Sequence, residues 1–172
     1  MQEQAVMFAF PILVFSLALD VLAPRGVTPT PRAVSPARSV TRPSPQTPDG
    51  AKIYATTCQA CHQANGLGLG TQFPPLVGSE WVTGREDRLI LIILHGITGE
   101  IEVEGESFNG LMPTWGPTFG DADVAAVATY VRGAWGNKAA PVSVAAVTRT
   151  RAAFATRTTP WTVAELQRAL AK

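Results

Sequence analysis

The stretch DGAKIYATTCQACH, residues 49–62, decides how the rest of the chain is read. It holds the chain's two cysteines, Cys58 and Cys61, and one of its two histidines, His62. Asp49 is a good N-cap, so a helix is expected to run from it through Tyr54 towards Cys61. On a helix, side chains three positions apart lie on one side, about a turn from each other. The two thiols are therefore expected to project together, with the imidazole of the next residue beside them. A disulfide between them would close a very small loop and add little stability, and the chain has no further cysteine for a framework.

Four readings of Cys58-Gln59-Ala60-Cys61-His62 compete. A structural zinc site wants four ligands, and the only other histidine, His95, is 33 residues away. A thioredoxin-like redox pair belongs in a βαβ setting, which the sequence does not offer. A chance occurrence is the third. The fourth is that C-x-x-C-H is the signature of covalent c-type haem attachment. Thiols a turn apart match the two vinyl groups along one haem edge, and His62 then reaches over the ring to the iron. The spacing favours haem.

A second axial ligand is then expected well downstream. Met112, in Asn109-Gly110-Leu111-Met112-Pro113, is the only methionine outside the first seven residues. A thioether is a soft, neutral ligand that favours the reduced iron. A lone methionine is often only core filler, but a loop bracketed by Gly and Pro has little packing need for one. His95 is the competing ligand; it follows an apolar helix and precedes Gly96, a position that suits a C-terminal cap instead.

Towards the N-terminus, Ala5 to Leu19 is an unbroken apolar run that resumes through Ala23 after Asp20. Nineteen residues of helix span about 28 Å against a hydrocarbon core of roughly 30 Å. Residues 1–23 are therefore expected to be a membrane anchor or a signal. The missing positive n-region and the Pro24 that follows the best cleavage site favour the anchor. Arginines after the run argue for a cytoplasmic bulk, against the export that haem attachment requires; the chemistry is given more weight. Residues 24–48, rich in Pro, Ser, Thr and Arg, cannot bury enough surface to fold and read as an extended tether.

The folded part is expected over residues 49–138, with a basic extension over 139–172. Thr83-Gly84-Arg85-Glu86 matches a capping box for a helix with Leu89, Ile92 and Ile93 on its apolar face, although LILIIL also suits a strand. Ile101 to Phe108 alternates around Gly105 as a small hairpin. Asp121 is expected to cap a helix that buries Val124, Val127, Ala128 and Val131. Short helices are expected over 142–157 and 162–171, the latter with a Thr162…Glu165 capping box.

The chain has four arginines and no acid from Ala23 to Pro48, ten acids against five bases from Asp49 to Lys138, and five bases against one acid beyond. An acidic folded part argues against nucleic-acid binding. Glu100, Glu102, Glu104 and Glu106 form either a face that steers a basic partner or merely a solvated hairpin.

Over Asp49 to Trp135 the chain resembles a class I c-type cytochrome, similar to small membrane-associated cytochrome subunits of respiratory or dehydrogenase complexes. The likeness rests on Gly50, Tyr54 and C-x-x-C-H in a first helix and on Val127 and Tyr130 in a last one. It implies a mostly α fold, three main helices around one covalent haem with a small β-hairpin, to which the residues outside the likeness add an N-terminal hydrophobic helix and a C-terminal helical extension. It implies that Gly50 packs near Tyr130. It also implies that a proline carbonyl in Phe73-Pro74-Pro75-Leu76 accepts a hydrogen bond from His62, Pro74 before Pro75. The residues expected at the haem are thus Cys58 and Cys61 (covalent), His62 and Met112 (iron), and Pro74, Leu76, Trp81 and Trp115 around it. The two tryptophans would either donate indole N–H groups to propionates or simply pack. The extension after Asn137, with Thr159-Pro160-Trp161, departs from the family core and suggests a docking element.

The function implied is electron transfer by one haem c on the periplasmic face of a bacterial inner membrane, with redox proteins of a membrane complex as partners. The chain would be anchored, or soluble if the leader is cut. An accessory assembly subunit and a haem enzyme or gas sensor with a labile Met112 are the alternatives.

Overall fold

The computed structural model describes residues 47–171, and the expected anchor and most of the tether lie outside them. The first helix forms as expected. Asp49 caps it by accepting from the Ala51 and Lys52 N–H groups at 3.0 and 3.1 Å. It runs as α1 (Gly50–Ile53), one wider π turn over Tyr54–Cys58, and α2 (Gln59–His62). A π turn inside a helix re-aims the residues beyond it, and in this chain those residues carry the thiol–imidazole cluster.

A short α3 (Glu80–Thr83) precedes α4 (Glu86–His95). The expected capping box at Thr83 is not made. The Thr83 hydroxyl donates to the Ser79 carbonyl, Ser79 caps α3, and α4 starts at Arg85 with no side-chain cap. Two helices meet at Gly84, so Thr83 belongs to the end of the first and is unavailable to the second. The run LILIIL is helical, and all six of its residues are buried. A helix apolar all round must be covered on all sides, and the rest of the fold does so.

β1 (Ile97–Val103) and β2 (Glu106–Met112) form an antiparallel hairpin, Ile97 opposite Met112 and Val103 opposite Glu106. The hairpin is longer than Ile101–Phe108, and Met112 ends a strand instead of sitting in a free loop. The flanking glycines, Gly99 and Gly110, face each other in the ladder, so their turn propensity misleads. α5 (Asp121–Gly133) follows. Asp121 is its first residue, not its cap: Gly120 holds that position, and its N–H donates to Asp123 at 3.0 Å.

α1 crosses α5 at Gly50, as expected. A Cβ there would lie 2.1 Å from the Ala126 carbonyl oxygen and 3.0 Å from Tyr130 Cβ. Tyr54, Tyr130 and Trp135 pack edge-on with centroids 5.0–5.6 Å apart. The Tyr54 hydroxyl donates to the Gln63 carbonyl at 2.5 Å and the Trp135 indole N–H to Ala64 at 3.1 Å, so the cluster pins the chain just past His62.

The segment after Asn137 packs on the body. α6 (Val144–Ala153) is capped by Ser143, and α7 (Val163–Leu170) by the reciprocal Thr162–Glu165 pair. Val147 and Leu166 are fully buried, and Trp161 packs against Phe154 and His95 under the Arg157 guanidinium. Trp161 is therefore occupied within the chain and is not an exposed docking residue. The core forms two clusters: one spans α1, α4, α5 and α6, and the other joins α4, the hairpin, Trp161 and α7.

Two outcomes test this packing. Gly50→Ala should cost about 1–3 kcal/mol by chemical denaturation, because two helix backbones must part. Leu166→Ala should cost about 2–5 kcal/mol if α7 is an integral layer; a change within about 0.5 kcal/mol would show it is only an appendage.

Candidate functional site

Between the two core clusters lies an apolar cavity walled by α2, the loop after it, α4, the hairpin and α5. Cys58, Cys61, His62, Pro74, Leu76, Trp81, Met112 and Trp115 all line it. Sequence reading thus found residues that the fold brings together from positions 58 to 115. The other candidate ligand, His95, is elsewhere. It ends α4 against Trp161, its Nε2 is buried without a partner, and burial with the nearby Arg157 lowers its pKa. A charged cap at that helix end is therefore disfavoured. Among the described residues no three His, Cys, Asp or Glu side chains gather as a metal cluster, so a four-ligand zinc site is not assembled.

His62 is positioned by the loop that follows it. Nδ1 lies 2.9 Å from the Pro74 carbonyl oxygen, which can only accept, so Nδ1 carries the hydrogen. Nε2 is then left as the ring's lone-pair donor. Burial lowers the His62 pKa and the Pro74 bond only partly opposes it, so the ring stays neutral, as a ligand must. The loop is held by Gly68 N–H to His62 O (3.1 Å) and Leu76 N–H to Gly66 O (2.7 Å). Gly68 has φ +70°, and a Cβ on it would meet the Phe73 oxygen at 2.1 Å. Only glycine lets the turn lie against the carbonyl that orients the imidazole.

Asn137 was not singled out from sequence. It accepts from Gly78 N–H at 2.9 Å and donates to the Leu76 and Val131 carbonyls at 3.0 and 2.8 Å. It therefore fixes the Leu76 wall to the end of α5. No sequence signal announces it, because two of its three partners are 59 and 61 residues away. Both cysteines are half-buried and free, and burial, with the neighbouring Cys61, pushes the Cys58 thiol up to about 11.

Trp81 takes the packing alternative. Its indole N–H donates to the Glu102 carbonyl at 2.7 Å, so Trp81 joins α3 to β1 and has no hydrogen left for a propionate. Trp115 stacks on Phe119 at 5.6 Å, and its indole N–H makes no hydrogen bond among the described residues. Glu100, Glu102, Glu104 and Glu106 are exposed, and none forms an ion pair among the described residues.

The apolar cavity therefore gathers two neighbouring thiols, one imidazole nitrogen and one thioether; the imidazole and thioether are suited to iron and the thiols to covalent attachment. Residues 45–131 match the family model described as cytochrome C oxidase, cbb3-type, subunit III. The chain is 44% identical over 93 residues to cytochrome c-552 of Thermus thermophilus, covering 52% of this chain and 70% of that protein. It is 33% identical over 114 residues to the fructose dehydrogenase cytochrome subunit of Gluconobacter japonicus, covering 62% of this chain but 23% of that one. It is 30% identical over 91 residues to the cbb3-type cytochrome c oxidase subunit CcoP of Cereibacter sphaeroides, 52% of this chain and 28% of that subunit. The extended match over the segment that builds the cavity places the chain in the c-type cytochrome family, by the domain of subunit III of cbb3-type cytochrome c oxidase.

Proposed function

We propose that the chain is an electron carrier with one haem c, bound through Cys58 and Cys61 and ligated by His62 and Met112. The observation that carries this reading is the convergence of all four side chains on one apolar cavity, with the Pro74 carbonyl holding His62 in the tautomer that offers Nε2. The family implies covalently attached haem c, and the residues present fit it. The thiols, imidazole and thioether are the right donors, and the walls of Leu89, Ile92, Ile93, Val127 and Val131 suit a large apolar ring.

The haem supplies a one-electron iron couple when bound. The chain's residues do the rest. His62, oriented by Pro74, and Met112, at the end of β2, would ligate the iron and leave it no place for a substrate. Met112 favours the reduced state and raises the potential. The aliphatic walls exclude water and stiffen the site, so little rearranges when charge changes. Trp115, with its uncommitted indole N–H, is the candidate donor to a propionate; Trp81 serves as wall.

Relatives that are cytochrome subunits of dehydrogenases and an oxidase support a place among subunits of such a membrane complex. The four exposed glutamates of the hairpin support a basic partner, met at a salt-dependent rate. Haem attachment after export supports a periplasmic site, with residues 1–23 as anchor and 24–48 as tether. Among the described residues no helix is long and apolar enough to cross a membrane.

The matured protein should keep its pigment on the polypeptide in acidified organic solvent, and the double variant Cys58→Ser, Cys61→Ser should lose it. Met112→Ala should abolish the red absorption band of methionine-ligated oxidised haem and lower the potential. Pigment that extracts freely from the wild-type chain would overturn the covalent haem, and an unchanged band in Met112→Ala would overturn the ligand. Trp81→Phe should cost about 1–2 kcal/mol of stability by loss of the Glu102 bond while leaving the absorption spectrum unchanged. A spectral shift without destabilisation would return Trp81 to the haem.

A further inference from the structure

The C-terminal segment reaches both flanks of Met112. On one side Ile97, the residue opposite Met112 in the hairpin, pairs in parallel with Trp161 on its outer edge. Trp161 N–H donates to Gly96 O at 3.0 Å, and Thr98 N–H donates to Trp161 O at 2.7 Å. On the other side the chain leaves β2 at Met112 and crosses to α5 through residues 113–120. Three bonds anchor its beginning to the end of α4: Trp115 N–H to Ile93 O (3.0 Å), Gly116 N–H to Leu94 O (2.9 Å) and the Thr114 hydroxyl to Leu94 O (2.6 Å).

The remainder of that turn is held from α6 by one side chain. Arg151 Nη1 donates to Gly116 O at 2.9 Å and Nη2 to Phe119 O at 2.8 Å. Nε donates to Asp121 Oδ1 at 2.6 Å, and the Thr148 hydroxyl, on the same helix, donates to Asp121 Oδ2 at 2.5 Å. A planar guanidinium with five fixed donors can close such a three-point grip; a lysine ammonium cannot match its spread. The gripped turn also carries Trp115 and Phe119, whose stacked rings line the cavity.

We propose that Arg151 is a positioning residue for Met112, and that the C-terminal segment serves to keep that thioether on the iron. The inference rests on the reading of Met112 as a ligand. Met112 ends its strand, so its side chain is only as well placed as the two segments beside it: β1, braced by Trp161, and the 113–120 turn, closed by Arg151. With Arg151 removed, the Gly116 and Phe119 carbonyls lose their charged donor and the turn is released from α6. Met112 then leaves the iron more easily, while His62, held by Pro74 on the opposite segment, is unaffected.

The test uses the matured haem protein, oxidised, well below the unfolding temperature of every variant. Imidazole competes with Met112 for the iron, so its apparent affinity reports how easily the thioether departs. Arg151→Ala should bind imidazole at least roughly fivefold more tightly than wild type, an effect expected from losing charge-assisted hydrogen bonds. Its methionine absorption band should weaken, and Arg151→Lys, which keeps the charge and is the fallback if alanine does not fold, should fall between. Arg149→Ala removes an exposed charge from the same helix without touching the turn or Trp161, and should stay at the wild-type affinity. Unchanged affinity in both Arg151 variants overturns the proposal. So does an equal shift in Arg149→Ala, which would mean an effect of lost charge alone. If wild type lacks the band and Met112→Ala binds imidazole no better, the ligand assignment itself has failed and the proposal falls with it.

Discussion

Six consecutive apolar residues, Leu89 to Leu94, must leave water on every side of one helix, and the rest of the molecule is arranged around that constraint. Each fully buried aliphatic side chain is worth about 1.5–3 kcal/mol, so α4 is the largest single apolar load in the fold. No one partner can cover a whole helix. α5 and α6 take one side and the hairpin with Trp161 and α7 takes another, which is why the core divides into two clusters that share α4. The side facing α2 is left to the cavity, through Leu89, Ile92 and Ile93.

That division explains the chemistry of the site. An apolar wall disfavours charge, so the His62 imidazole is kept neutral and the Cys58 thiol is held protonated. Several polar groups that remain inside are matched individually, His62 to Pro74, Trp81 to Glu102, Asn137 to Leu76 and Val131, whereas His95 Nε2 and the Trp161 indole nitrogen have no partner among the described residues. The buried Arg132 is satisfied in the same way, by the carbonyls of Val82, Gly84 and Ala140. The donors proposed to hold the haem therefore sit in a frame with little freedom, a fitting property for a site that passes electrons without rearranging.

Much of this was legible in advance where the cause is local or where one residue type admits one role. Asp49, Thr162 and Glu165 cap as their neighbours dictate, and the stripe of α5 follows its period. Gly50 meets Tyr130 because a close helix crossing tolerates nothing larger. The misreadings share a physical origin. Thr83 and Gly84 look like the start of α4 until α3, a single turn, claims them. Gly110 looks like loop punctuation until it is seen paired across a strand with Gly99. From sequence Trp81 either donates or packs, and the Glu102 carbonyl within its reach decides for packing.

The chemistry of this protein is legible in its residues before any folding is considered. Two thiols and an imidazole within five residues, and one methionine in the folded part, admit few partners other than an iron porphyrin, because covalent spacing and ligand type are properties of the chain. The surroundings of those donors emerge only in three dimensions. The basic segment after Asn137 carries Arg151, which no local signal singles out, and Trp161, which reads as part of a docking element. Folding turns them inward, to the Gly116 and Phe119 carbonyls and to the edge of β1. Those contacts join residues 32 to 64 positions apart, and a separation of that size leaves no trace in local propensity or period.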